Sequence, residues 1–204
     1  MRTVLLTGFE PFDQDSVNPS WEAARQLDGV QLAEDVQIVA RRLPCAFTTA
    51  PECLVQLINE LRPVMVIATG LAPGRGEISI ERVAININDA RIPDNLGYQP
   101  IDTAVVVDGP AAYFSTLPIK AMVKAVRGAG IAAAVSQTAG TFVCNQVFYR
   151  LQHVLAGTDV RSGFIHVPNQ PLMALSSLVD GLRVAVATAW NTPVDVVEVG
   201  GQVS

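Results

Sequence analysis

Short β-branched runs closed by glycine alternate with longer stretches of helical periodicity, and this alternation constrains the chain more than any other feature. Thr3-Val-Leu-Leu-Thr7 reads as a strand buried on both faces, ended by Gly8. Asn18 precedes Pro19, so Asn18 is the expected N-cap of a helix over Asn18–Leu27, with Gly29 as its stop. Val36–Ala40 predicts a second strand. Thr48 or Thr49 is the expected cap of a helix with the stripe Cys53, Leu54, Leu57, Ile58 and Leu61, stopped by Pro63. Val64–Thr69 predicts a third buried strand, closed by Gly70. Ile78, Ile80 and Arg82 alternate with Ser79, Glu81 and Val83, which predicts one strand or hairpin arm over Ile78–Ile87. Then come a helix from Pro118 to Arg127, a strand over Ile131–Ser136, a helix over Asn145–Leu155, a strand over Gly163–Val167 and a long helix over Leu172–Trp190. Thr192–Ser204 is expected to fray. Such alternation implies parallel pairing with helices on both faces of the sheet, in a single α/β domain spanning residues 1–204.

Composition narrows the function. Half of the 204 residues are apolar and 16% are charged, which excludes a disordered chain. The 14 Lys and Arg against 19 Asp and Glu form no basic run, so the electrostatic footprint of a nucleic-acid binder is missing. The longest apolar stretches, Val64–Ala68 and Val184–Trp190, fall short of the roughly 20 residues that span a bilayer. Three cysteines make no disulfide framework, and the opening residues lack the long apolar core of a secretion leader. A reduced, cytoplasmic protein is expected. A mean hydropathy of +0.33 with few charges points to surface buried between subunits.

In sheets of this kind ligands bind beyond the carboxyl ends of the strands. Cys144 stands there, after a strand and a glycine-containing loop and at the start of a helix. Free backbone N–H groups and the helix dipole at that place favour a thiolate and could hold an oxyanion. The alternative is a buried, inert cysteine. Cys53 lies on an apolar helix stripe and reads as core, and Cys45, after Pro44 at a strand end, is a lesser candidate. Of the two histidines, His166 closes a strand and His153 sits mid-helix. A histidine beside a cysteine on a neighbouring strand end can serve as general base, with a third group to orient it. Glu81 stands within an apolar strand, where an unpaired carboxylate is costly; a salt bridge to a nearby arginine such as Arg82 explains it equally well. Gly70-Leu-Ala-Pro-Gly-Arg-Gly76 fits no phosphate-binding motif, and no Cys/His spacing suits zinc. The residues alone give an α/β protein with a candidate Cys–His site.

Four blocks carry a resemblance. Leu6-Thr-Gly-Phe-Glu-Pro-Phe12 with Asn18-Pro-Ser-Trp21, Ile78-Ser-Ile-Glu-Arg-Val-Ala-Ile-Asn86, Ser136-Gln-Thr-Ala-Gly-Thr-Phe-Val-Cys-Asn145 and Phe164-Ile-His-Val-Pro168 occur in the order found in the pyroglutamyl peptidase I family of cysteine peptidases. The resemblance covers nearly the whole chain. It implies a three-layer α/β/α sandwich with an open, mostly parallel twisted sheet, and no cofactor. It implies a triad of Cys144, His166 and Glu81, with Arg91 at the oxyanion site. The family's aromatic pocket for the lactam ring maps to Phe9, Phe12 and Phe142, with Val143 beside it and Leu71 near it. The implied substrates are pyroglutamyl peptides, the implied product step is hydrolysis of a thioester acyl-enzyme, and the implied assembly is a homotetramer.

Two positions depart from the family pattern. Gly70-Leu71 stands where Gly-Gln is usual, and Pro168-Asn-Gln-Pro171 where Pro-Tyr or Pro-Phe is usual. They leave room for a thiol hydrolase of altered specificity. A non-catalytic binding protein with an inert Cys144 is the other reading.

Overall fold

The computed structural model describes residues 1–201. The strands are β1 (Arg2–Phe9), β2 (Gln31–Ala33), β3 (Val36–Leu43), β4 (Met65–Leu71), β5 (Ile78–Glu81), β6 (Val83–Ile85), β7 (Ala112–Phe114), β8 (Ala133–Ser136) and β9 (Arg161–Val167). The helices are α1 (Pro19–Ala24), α2 (Thr49–Leu61), α3 (Ile119–Gly128), α4 (Val143–Leu155) and α5 (Leu175–Asn191). Seven strands form one sheet in the order β2-β3-β1-β4-β9-β5-β8. From β3 to β9 all neighbours are parallel. β5 runs antiparallel to β9 and carries β8 parallel to itself, while β2 lies antiparallel on the opposite edge.

The two faces of the sheet bury two separate cores. Val4, Leu6, Met65, Ile67, Ile78, Ile80, Ile165 and Val167 face the layer of α1, α3 and α5. Leu5, Val66, Ala68 and Phe164 face the layer of α2 and α4. Both sets are drawn from the same strands with period two, as a sheet covered on both sides requires. The helices on both faces are what the sequence pattern implies, and the three-layer, mostly parallel architecture is the one the resemblance implies.

Several boundaries differ from the sequence reading. The Ile78–Ile87 run divides at Arg82: β5 joins the main sheet, and β6 leaves it to pair with β7. The Asn145 side chain takes the place of a strand partner for the departing segment. Its Oδ1 accepts from the Ile85 N–H, and its Nδ2 donates to the carbonyls of Ile85 and Ile87. Asn18 does cap α1, accepting from the Ser20 N–H at 3.1 Å. Thr48 precedes α2 but makes no side-chain cap, and Arg62 in the left-handed region (φ 45°) ends that helix one residue before Pro63. α4 begins at Val143, two residues earlier than expected.

The segment after α5 is docked rather than frayed. The Asp195 carboxylate accepts from the N–H groups of Lys120 and Ala121. It caps α3, whose own N-cap, Pro118, has no side chain able to do so. The remainder of the expected frayed stretch, 202–204, lies outside the described residues. Among the described residues no helix is long and apolar enough to cross a membrane.

Candidate active site

Sheet register brings the site together. In the β4–β9 pair Gly70 is opposite His166, and in the β5–β9 pair Ser79 is opposite His166. Glu81, two residues beyond Ser79, therefore shares a sheet face with His166 and Phe164. Its Oε1 lies 2.7 Å from His166 Nδ1. Glu81 is fully buried and His166 nearly so. An ionised carboxylate can only accept, so Nδ1 carries the hydrogen and Nε2 is left as the basic nitrogen. Because Ser79 is the residue opposite His166, Glu81 two positions on is its diagonal neighbour on the same face of the sheet.

Cys144 approaches the same spot from α4. A Cβ built on Gly70 would lie 2.7 Å from Cys144 Sγ, so the sulfur stands directly over that glycine. Gly70 is the sheet neighbour of His166, and adjacent strands are about 4.8 Å apart. Sulfur and imidazole thus occupy one short stretch of the sheet. Cys144 is the second residue of α4, and no side chain caps the helix there. The expected opening of a helix by the cysteine, with free N–H groups around it, is what the backbone shows.

Its thiol, however, is not a ready-made thiolate. Burial pushes it well above its ordinary value, the nearby Cys45 and Glu81 add to the rise, and Arg75 opposes it. Desolvation is the largest of these effects, and it runs against the thiolate that the helix start would favour. Cys45 is pushed up to about 12, by burial first and then by Glu10 and Asp94.

A cavity of about 430 Å3 opens beside the sulfur. Phe9, Phe12, Leu71 and Phe142 line it together with Cys144 and His166, and Arg91 sits at its exposed rim. Phe142 packs against Phe12 and Phe47 with ring centroids 5.0 Å apart in each case, so tilted and edge-to-face ring contacts fix the apolar wall. The Glu10 carboxylate ties three walls together, accepting from the Cys45 N–H and from Asn95 Nδ2 on the loops that follow β3 and β6. Val143 is the predicted pocket residue that the structure places elsewhere. It is fully buried in the core between α4 and the sheet, because one helical step turns it away from the side that Cys144 presents.

Residues not anticipated also belong here. Arg75, not Arg82, is the partner of Glu81, with Nη1 2.7 Å from Oε1. Arg82 instead donates to Gln137 Oε1. Pro73-Gly74 was the available signal: Arg75 N–H donates to the Ala72 carbonyl across them, and Gly74 has φ +88°. That is the turn for which proline followed by glycine is favoured, and it folds Arg75 back over the sheet. Cys45, Asn18 and Ile92 line the cavity as well. His153 is bonded through Nδ1 to Tyr113 Oη and lies outside this cavity's lining. Among the described residues no three His, Cys, Asp or Glu side chains converge as a metal site would.

The profile of the pyroglutamyl peptidase family matches residues 2–199. The chain belongs to the pyroglutamyl peptidase family. This is a family of cysteine peptidases that remove N-terminal pyroglutamate. A pyrrolidone-carboxylate peptidase of Pseudomonas fluorescens is 77% identical, with 100% of both chains covered. One from Cupriavidus taiwanensis is 61% identical over 99% of each chain. Among solved structures, the pyroglutamyl peptidase I of Bacillus amyloliquefaciens superposes with a TM-score of 0.92 at 42% identity, covering 97% of this chain and 99% of that one. The pyrrolidone carboxyl peptidase of Thermococcus litoralis gives 0.89 at 39% identity, with 94% of each chain covered. The pyroglutamyl peptidase fold thus extends over nearly all of this chain, including every element that carries the cavity.

Proposed function

We propose that this chain removes an N-terminal pyroglutamyl residue from peptides through a thioester formed on Cys144. The observation that carries the assignment is the placement of the Cys144 sulfur over Gly70, beside an imidazole whose Nδ1 is held by buried Glu81. Burial raises the thiol above its ordinary value, which supports His166 as a general base rather than as one half of a standing ion pair. Nε2 takes the Sγ proton as the sulfur attacks the exocyclic carbonyl carbon. The negative oxygen that develops meets the uncapped N–H groups at the start of α4 and the guanidinium of Arg91. The C–N bond then breaks, and Nε2–H gives its proton to the leaving amine. Water, deprotonated by His166, attacks the thioester, and pyroglutamate leaves as Cys144 recovers its proton.

The cavity suits this substrate. Pyroglutamyl is a small, neutral lactam without a free amine, so it needs an apolar slot and a few hydrogen-bonding groups, not an acidic anchor. Phe9, Phe12, Phe142 and Leu71 supply the slot. A proline analogue lacks the ring carbonyl, and the site's polar groups would be left unpaired against it, which discriminates strongly. Release of a fluorescent amine from the pyroglutamyl, prolyl and glutamyl amides tests this. The pyroglutamyl amide should be turned over and the other two should not. His166→Ala should approach the loss of Cys144→Ala, because such residues act as a unit, and Glu81→Gln should lose less. His153→Ala should keep activity. Cleavage of the prolyl amide in preference, or an inactive His153→Ala beside an active His166→Ala, would reject the assignment.

The activity is assigned to a single domain over residues 1–204, working in the cytoplasm without a cofactor, as a homo-oligomer and by family resemblance a tetramer. Leu96, Tyr98, Ile101, Val107 and Phe114 are exposed and fall within one stretch of chain, which supports self-association. Sedimentation at micromolar concentration should return a mass well above the 21.7 kDa of one chain. A monomer throughout would reject the oligomer and leave the chemistry standing.

A further inference from the structure

We propose that Arg75 is a positioning residue, which acts through Glu81 to keep the His166 imidazole in its base-competent form. The inference rests on the Cys144–His166–Glu81 reading above. Glu81 Oε1 accepts two hydrogen bonds of 2.7 Å, one from His166 Nδ1 and one from Arg75 Nη1. Its other oxygen, Oε2, is buried with no partner among the described residues. A single oxygen therefore carries both the orientation of the histidine and, among the described residues, the only fixed positive charge on the carboxylate.

Arg75 is itself held from three sides. Nη1 also donates to Ser136 Oγ at 3.2 Å, and Nη2 donates to the Thr138 carbonyl at 3.0 Å. Ser136 is the β8 partner of Glu81 in the sheet register, so the guanidinium lies across the ends of β5 and β8. The turn at Pro73-Gly74 delivers it there, and that turn is tied to β9 by the Ala72 N–H, which donates to the Val167 carbonyl. An arginine held in this way is a fixed part of the site rather than a mobile surface charge.

The reason for such a charge lies in the cycle. When His166 is protonated, its cation satisfies Glu81. When His166 is neutral, Glu81 is a buried anion beside a neutral ring, and burial of a lone carboxylate is costly. Neutral His166 is the form that must accept the Cys144 proton. Arginine stays charged throughout. Its charge compensates the Glu81 carboxylate while the imidazole is neutral, so that Oε1 stays in place as the acceptor for Nδ1–H. The other titratable or charged groups facing this cluster are Cys144 from α4 and Cys45 from the segment after β3, with Arg91, Asp13 and Asp15 around the cavity mouth. Neither Asp13, Asp15 nor Arg91 is bonded to Glu81 or His166.

The test is the pH dependence of kcat and KM on a pyroglutamyl amide for wild type, Arg75→Gln, Arg75→Lys, Glu81→Gln and the double variant Arg75→Gln/Glu81→Gln. An opposite charge at this range shifts an ionisation by about one unit or more. The acid limb of kcat/KM in Arg75→Gln should therefore move up by about one pH unit or more, which is about a tenfold loss below the limb and a smaller loss above it. KM should stay within about threefold of wild type. Arg75→Lys should bring the limb most of the way back. In the Glu81→Gln background the arginine substitution should shift the limb no further, because its route of action is gone. That comparison also decides the matter if Arg75→Gln does not fold, since the double variant leaves no unpaired buried charge. An unmoved limb in Arg75→Gln, full additivity in the double variant, or a rise in KM with kcat unchanged would overturn the inference. Turnover by Cys144→Ala or His166→Ala would instead defeat the triad reading, so the two failures are distinct.

Discussion

Gly70 and Cys144 are in such close contact that a methyl group on the glycine would lie 2.7 Å from the cysteine sulfur and 2.9 Å from the Phe164 ring. The backbone of β4 is the floor on which the sulfur rests, and the absence of a side chain at residue 70 sets how near the sulfur comes to the sheet and to His166.

Gly70→Ala should therefore displace Sγ. An added methyl in a packed site costs about 1–3 kcal/mol, which for a chain of this length lowers Tm by a few degrees. A shift of the nucleophile on the order of 1 Å costs about a hundredfold in rate. The expected variant is folded, melts slightly below wild type, and has lost about a hundredfold or more in kcat. Wild-type kcat in a folded Gly70→Ala would show that the sulfur works from another position.

Much of this was legible in the sequence. The continuous apolar runs in β1 and β4 pointed to a sheet covered on both faces, because alternating residues of β1, β4 and β9 feed both cores. Cys144, His166 and Glu81 stood out by type and by their place at element ends. What the sequence hid was pairing direction. Nothing local to Ile78-Ser-Ile-Glu81 says that β5 lies antiparallel beside β9, or that Ser79 falls opposite His166, and it is this register that makes Glu81 and His166 diagonal neighbours. The partner of Glu81 was hidden for the same reason: Arg82 is adjacent in sequence but leads into β6, whereas Arg75 returns through a turn. The thiol's proton was misjudged because helix-dipole reasoning needs only the sequence, while desolvation depends on what closes around the sulfur.

The raised thiols of Cys45, Cys53 and Cys144 make the protein sensitive to base in a defined direction. A thiol has an ordinary value near 8.5 in the unfolded chain, and Cys45 reaches about 12 when folded. As pH rises through about 8.5 the unfolded chain releases this proton first, so it binds fewer protons than the native state and stability falls with pH. The contribution is fully present below about 8.5 and is lost progressively toward the folded value. Thermal melts from about pH 7 to about pH 10.5 should show a steeper decline for wild type than for Cys45→Ala. Parallel declines would contradict the dry setting of Cys45.

Leu71 is the departure from the family pattern that reaches the cavity. A glutamine there could offer the substrate a hydrogen bond, and leucine cannot. One neutral hydrogen bond contributes about 0.5–1.5 kcal/mol, so Leu71→Gln should change kcat/KM on the pyroglutamyl amide by no more than about tenfold. Backbone groups and the apolar slot carry lactam recognition in this account. Restoration by Leu71→Gln of an activity absent from wild type would show a diverged thiol hydrolase whose substrate differs.

The most direct test of the central claim is to trap the acyl-enzyme. Wild-type protein mixed with a pyroglutamyl amide in excess, quenched in acid within the first turnover and peptide-mapped by mass spectrometry, should carry one pyroglutamyl group on the peptide containing Cys144. The same map of Cys144→Ala should be unmodified, and that variant should release no amine. A pyroglutamyl group on Cys45 or Cys53, or amine release by Cys144→Ala at the wild-type rate, would contradict the account.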